Sequence, residues 1–157
     1  LWKTLCYKIP RKRKNIHNSF KKEYLMLTPS FISKELLGSV ELTTTDLEKE
    51  ILNLGLNIKS HGVIDKETYK LNLLVQNERD FLLNKIREFL IDKPLYEKVE
   101  IFWSNLNKYS IICEIAFILE NLDSIFDEDW DFWIVDKNKK WIIESYHEEE
   151  LAIFLIN

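Results

Sequence analysis

The sequence predicts an α+β domain, with helices packed on one face of a mostly antiparallel sheet that ends in a C-terminal β-meander. Three patterns carry this reading. Apolar stripes at helical spacing run through residues 81–90 and 111–122, apolar and polar residues alternate through 69–76 and 99–103, and short apolar runs separated by polar turns close the chain. Helices interspersed with strands before a terminal meander belong to the α+β class.

Taken in order, Pro29 and Ser30 open a short segment in which Phe31, Ile32, Leu36 and Leu37 have helical spacing and Gly38 marks a stop. Thr45 and Glu48 have the spacing of a capping box, in which hydroxyl and carboxylate each accept the other residue's free backbone N–H. A helix is predicted over 46–54, with Leu47, Ile51 and Leu54 on one face and Gly55 ending it. Tyr69, Leu71, Leu73 and Val75 alternate with more polar neighbours and predict a strand. Asn77 is placed to cap the next helix, whose stripe is Phe81, Leu82, Ile86, Phe89 and Leu90 and whose stop is Lys93-Pro94.

Val99, Ile101 and Trp103 predict a further strand, and Ile111, Ile115, Ile118, Leu119 and Leu122 return to helical spacing. The meander follows. Phe132–Val135 and Trp141–Glu144 flank a polar turn at 136–140, and 151–156 supplies the third strand. Trp103, Phe89, Ile115 and Trp141 are expected in the core.

Composition bounds the rest. With 157 residues, 46% apolar content, five Trp, six Tyr and nine Phe, the chain can fill one core, and only three Gly and three Pro argue against a linker or loop-built scaffold. Cys6 and Cys113 belong to no Cys-x-x-Cys pair or Cys/His cluster, so a disulfide framework is not expected and a reducing, cytoplasmic setting is the default. No apolar run approaches the roughly 20 residues a membrane helix needs, so no membrane association is expected.

Residues 1–25 stand apart. They hold eight Lys/Arg against Glu23 alone, whereas residues 26–157 hold 14 Lys/Arg against 25 Asp/Glu, a net charge of −11. Lys21-Lys22-Glu23 is encodable as a purine-rich ribosome-binding sequence, and the codons for Tyr24 and Leu25 would space it normally from an ATG at Met26, the single methionine. The expectation is a basic leader over 1–25, translated upstream sequence or disordered, followed by one domain over 26–157. The run Arg11-Lys12-Arg13-Lys14 has the charge for phosphate contacts but lacks interleaved aromatics or a reading helix, so nucleic acid is not the expected partner.

Motifs of catalysis are sparse. His147 sits beside Glu144, Glu148, Glu149 and Glu150, but His17 and His61 share no ligand spacing with it, so neither a metal nor another cofactor is expected. Cys113 lies among Ile111, Ile112 and Ile115, a setting for an inert buried thiol. Gly38, Gly55 and Gly62 are isolated and form no phosphate cradle, and the acidic stretch lacks the calcium-loop pattern with its turn glycine.

The strongest anomaly is 123–133, where Asp123, Asp127, Glu128, Asp129 and Asp131 mix with Phe126, Trp130, Phe132 and Trp133. Phe132 and Trp133 fit the start of a core strand with the acids as its approach loop. Carboxylates beside exposed aromatics also fit a surface that steers a basic protein in and anchors it by burial. The residues expected to face such a partner are Asp127, Glu128, Asp129, Trp130 and Asp131, with His147, Glu148, Glu149 and Glu150 as a second acidic set.

Asp129-Trp130-Asp131-Phe132-Trp133-Ile134-Val135-Asp136, followed by Lys140-Trp141-Ile142-Ile143-Glu144 and Tyr146-His147-Glu148, resembles the C-terminal hairpins of small bacterial proteins of unknown function and of immunity proteins from toxin systems. That resemblance implies a small acidic inhibitor that occupies the binding surface of a basic toxin. The rival expectations are a regulatory or phage-borne interaction domain, and an enzyme for which His147 and its neighbouring carboxylates are the only candidates.

Overall fold

The computed structural model describes residues 25–59, 63–67, 71–129 and 131–156. Seven antiparallel strands form one sheet in the order β1-β4-β3-β5-β6-β7-β2. They are β1 (Glu41–Thr43), β2 (Leu71–Gln76), β3 (Lys98–Trp103), β4 (Ser110–Glu114), β5 (Phe132–Asp136), β6 (Trp141–Tyr146) and β7 (Glu150–Leu155). The helices are α1 (Leu47–Asn53), α2 (Arg79–Ile91) and α3 (Ile115–Glu128). The chain is thus an α+β protein, and β5, β6 and β7 form the expected meander. No described helix is long and apolar enough to cross a membrane.

Both faces of the sheet are covered. On one, Leu82, Leu83, Ile86 and Leu90 of α2 and Ile115, Ile118, Leu122 and Ile125 of α3 pack onto Ile101, Ile111, Ile134 and Ile143. On the other, the short α1 and the segment after it supply Ile51, Leu54, Leu56 and Ile64, which meet Phe102, Trp133, Ile142 and Phe154. Helices α2 and α3 therefore share a face as expected, while α1 lies on the opposite one. Trp103, Ile115 and Trp141 are buried, and Phe89 is half-buried with its ring edge-on to Trp141 at 5.2 Å.

Local chemistry moves several boundaries. The N-cap of α1 is Asp46 rather than Thr45: its carboxylate accepts the N–H groups of Glu48 and Lys49, and the Thr45 hydroxyl pairs with Thr43. A charged acceptor at the positive end of a helix outcompetes a hydroxyl one residue earlier. At the other end Gly55 adopts φ +77°, and the N–H groups of Gly55 and Leu56 bond back to Leu52 and Ile51 in a Schellman closure. Leu36–Ser39 makes only a 3-10 turn, because the apolar run there is too short for a stable α-helix. Asn77 does not cap α2; its side chain accepts the neighbouring Glu78 N–H, and Glu78 takes the capping position without a side-chain bond.

Ile111 belongs to β4 and not to the helix that follows. Ile111, Ile112 and Cys113 carry no period of their own, and the β-branched Ile111 and Ile112 pair with both β3 and β1. Strand β3 is buried on both faces beyond Lys98, so Glu100 is fully buried. Its carboxylate survives there by accepting the Ser110 hydroxyl at 2.9 Å and the Lys137 ammonium at 2.7 Å.

Candidate functional site

The antiparallel pairing brings five separate segments to one end of the sheet, the upper end. These are 43–48 into α1, 76–80 into α2, 103–110 between β3 and β4, 127–129 with 131–132 from the end of α3 into β5, and 146–150 between β6 and β7. Every described residue singled out as partner-facing lies on this end or at its margin.

The acidic stretch is not a loop. Helix α3 continues through Asp127 and Glu128, placing carboxylates at a helix C-terminus where the helix dipole is negative and no basic residue stands in the last turn. Cations from other elements offset this. Arg79 of α2 donates to the Asp123 carbonyl at 3.1 Å and pairs with Asp127 at 2.8 Å, while Arg87 holds the Asp123 carboxylate at 2.7 Å. Lys108 binds the Glu128 carboxylate at 2.5 Å and its backbone carbonyl at 2.9 Å.

Glu128 was expected to face a partner, yet its side chain is only 3% exposed. It accepts the Ser30 N–H and hydroxyl as well as Lys108. Burial pushes its carboxyl up, but the hydrogen bonds from Lys108 and Ser30 outweigh burial and hold it below the ordinary carboxylate value. Asp129 is turned to structural use too, accepting the Ser104 hydroxyl at 2.9 Å and the Asn105 N–H at 3.2 Å. Both acids fasten the end of α3 to the 103–110 segment. Their exposure was misread because a sequence shows the charges without the distant Ser30, Ser104 and Lys108 that meet them.

Asp131 and His147 form a pair. Asp131 Oδ1 accepts the His147 backbone N–H at 2.6 Å, and the ring Nδ1 lies 3.0 and 3.1 Å from the two carboxylate oxygens. With Nδ1 facing the carboxylate, the neutral ring that satisfies this contact carries its proton there and leaves Nε2 as an outward acceptor. A shallow hollow of about 340 Å³ beside it is lined by Arg79, Phe126, Asp127, Tyr146, His147 and Glu149. An imidazole oriented by a carboxylate is half of a nucleophilic arrangement. Among the described residues no hydroxyl or thiol is hydrogen-bonded to that ring, and no three His, Cys, Asp or Glu side chains are grouped to hold a metal ion.

What remains open to solvent is still strongly acidic. Asp46, Glu48, Glu78, Asp80, Asp127, Glu148 and Glu149 are exposed at the upper end, against Lys49 and Arg79. Glu150 is engaged by Lys66. The opposite end carries exposed Lys98, Lys137, Lys139 and Lys140 beside exposed Glu41 and Glu114, so the excess of negative charge is confined to the upper end. Trp130 lies outside the described residues, and so does its expected exposure.

Between α1 and the 103–110 segment the upper end opens into a cleft of about 680 Å³. Phe102, Trp133 and Leu47 supply apolar lining, and Asp46, Glu48 and Asp131 supply carboxylates. Sequence reasoning missed this feature, since its walls come from segments far apart in the chain and Asp46 and Glu48 read only as the first turn of a helix, Glu48 as a capping residue. Comparison of the chain with protein-family models and with curated proteins returned no match.

Proposed function

We propose that this chain is an acidic protein-binding module whose upper end receives a basic protein, in the manner of an immunity-type inhibitor of a basic toxin. One observation carries the reading: seven exposed carboxylates from four segments converge on one end of the sheet against two exposed cations. Such an end raises the local concentration of a basic partner and orients its approach. The internal pairing of Glu128 and Asp129 narrows the binding set to Asp127, Glu148 and Glu149, with Asp46 and Glu48 across the cleft. The resemblance of the C-terminal hairpin to immunity proteins supports the choice of partner class.

The test is affinity capture from source cells with the wild-type chain and with a variant carrying Asp127→Lys, Glu148→Lys and Glu149→Lys. A basic protein retained by the first and lost by the second is the expected result. Retention of no protein, or equal retention by both, overturns the proposal.

A further inference from the structure

We propose that the upper-end cleft is the socket for an arginine side chain of the partner, an inference that rests on that partner being basic. Its volume of about 680 Å³ falls within the roughly 300–1,000 Å³ of sites that enclose a small molecule or an anchoring side chain. The lining combines apolar Phe102, Trp133, Leu47 and Leu106 with the carboxylates of Asp46, Glu48 and Asp131.

The charge balance inside the cleft selects a cation. Lys108 is the one cationic side chain among the described lining residues, and its ammonium is already held by Glu128. An anion would meet the net negative charge of Asp46, Glu48 and Asp131, two of which are, among the described residues, hydrogen-bonded only to N–H groups of α1 and of His147, and a wholly apolar side chain would strip Glu48 of water without pairing it. Arginine answers both demands, because its stem lies against the exposed Leu106 and the half-buried Leu47 while its planar guanidinium donates to more than one carboxylate oxygen. Lysine, a compact and strongly hydrated point charge, spans several carboxylates less well.

The cleft is also held open in advance. Asp129 fixes Ser104 and Asn105, and the Lys108–Glu128 pair fixes the rest of that wall to α3. On the facing side the Asp46 cap sets the first turn of α1. Asp131 belongs both to the cleft lining and to the His147 pair, so the socket is continuous with the acidic surface around it. A preformed wall lowers the ordering cost of binding.

The test is a nuclear magnetic resonance titration of the full chain at low salt with hexa-arginine, hexa-lysine and hexa-citrulline peptides. Hexa-arginine should shift the indole N–H signals of Trp103 and Trp133, hexa-lysine should bind about threefold or more weakly, and hexa-citrulline should leave both signals in place. Leu106→Arg, at a rim position 85% exposed, and Glu48→Lys each place a cation at the mouth and should weaken hexa-arginine binding about fivefold or more.

Shifts confined to Asp127, Glu148 and Glu149, with binding unchanged in Leu106→Arg, would overturn the socket and leave the acidic binding end standing. No binding of either cationic peptide would remove both. Equal binding of hexa-citrulline would make the cleft a site without charge selection and overturn the inference. So would indole shifts that need no peptide and instead follow protein concentration, which would assign the cleft to a second copy, or that vanish on removal of residues 1–24, which would assign it to the chain's own basic segment.

Discussion

Lys108 and Glu128 form an ion pair at 2.5 Å with side chains 14% and 3% exposed, and through it the turn after β3 is locked to the last turn of α3. Removing one partner of a buried pair leaves the other charge without compensation. Glu128→Ala is therefore expected to cost about 2 kcal/mol or more in urea unfolding, and Lys108→Met a similar amount. The double variant should lose less than the two separate losses together, and strict additivity would show that the two residues are not coupled.

The same pair sets an acid sensitivity. Although burial pushes the Glu128 carboxyl up, its hydrogen bonds hold the folded-state value below the ordinary 4.5. Its contribution is therefore fully present above that value and lost as the pH falls below it through the folded-state value. Unfolding measured between pH 5 and pH 3 should show a smaller acid loss in Glu128→Gln than in wild type.

Glu144 behaves with the opposite sign. Only 1% exposed, it accepts the Ile64 N–H at 2.8 Å and the Trp133 indole N–H at 2.9 Å, with Lys66 3.4 Å away. Burial outweighs those contacts and raises its carboxyl above the ordinary value. A raised carboxyl favours the fold most below its unfolded value of 4.5, and that advantage fades as pH rises through the folded-state value. Glu144→Gln should thus gain on wild type between pH 4 and pH 7, while Glu144→Ala should lose at least about 2 kcal/mol at either pH by stranding two buried donors. A stability difference between Gln and wild type that ignores pH would contradict the assignment.

Cys113 is fully buried, and burial pushes its thiol up to about 12. Iodoacetamide at pH 8 should leave the Cys113 peptide unmodified in native protein and label it only in denaturant, as read by mass spectrometry. Rapid native labelling would mean that β4 opens far more readily than its place between β1 and β3 implies.

Elements whose pattern is local were legible in the sequence. The stripe of α2 apart from Phe81, which is exposed while Leu83 is buried in its stead, the meander runs of β5 to β7 and the Gly55 stop are each specified by residues within one turn or one strand. Ile111 was not, because its strand identity depends on pairing with Ile101 across the β3–β4 turn. The site divided the same way. The sum of charge at the upper end followed from counting Asp and Glu, whereas the fate of each carboxylate depended on Ser30, Arg79, Ser104 and Lys108, brought in from other elements. The cleft was illegible because no single segment forms it.

The central claim, that the upper end captures a basic protein by charge, is tested most directly by stopped-flow association of the captured protein at low and at near-physiological salt. Asp127 pairs with Arg79 but its side chain is 70% exposed, so replacing it together with Glu148 and Glu149 by Lys should change folding stability by less than about 1 kcal/mol. The account predicts that added salt and this triple reversal each slow association by about tenfold or more while the unfolding transition stays in place. An association rate indifferent to both would contradict it.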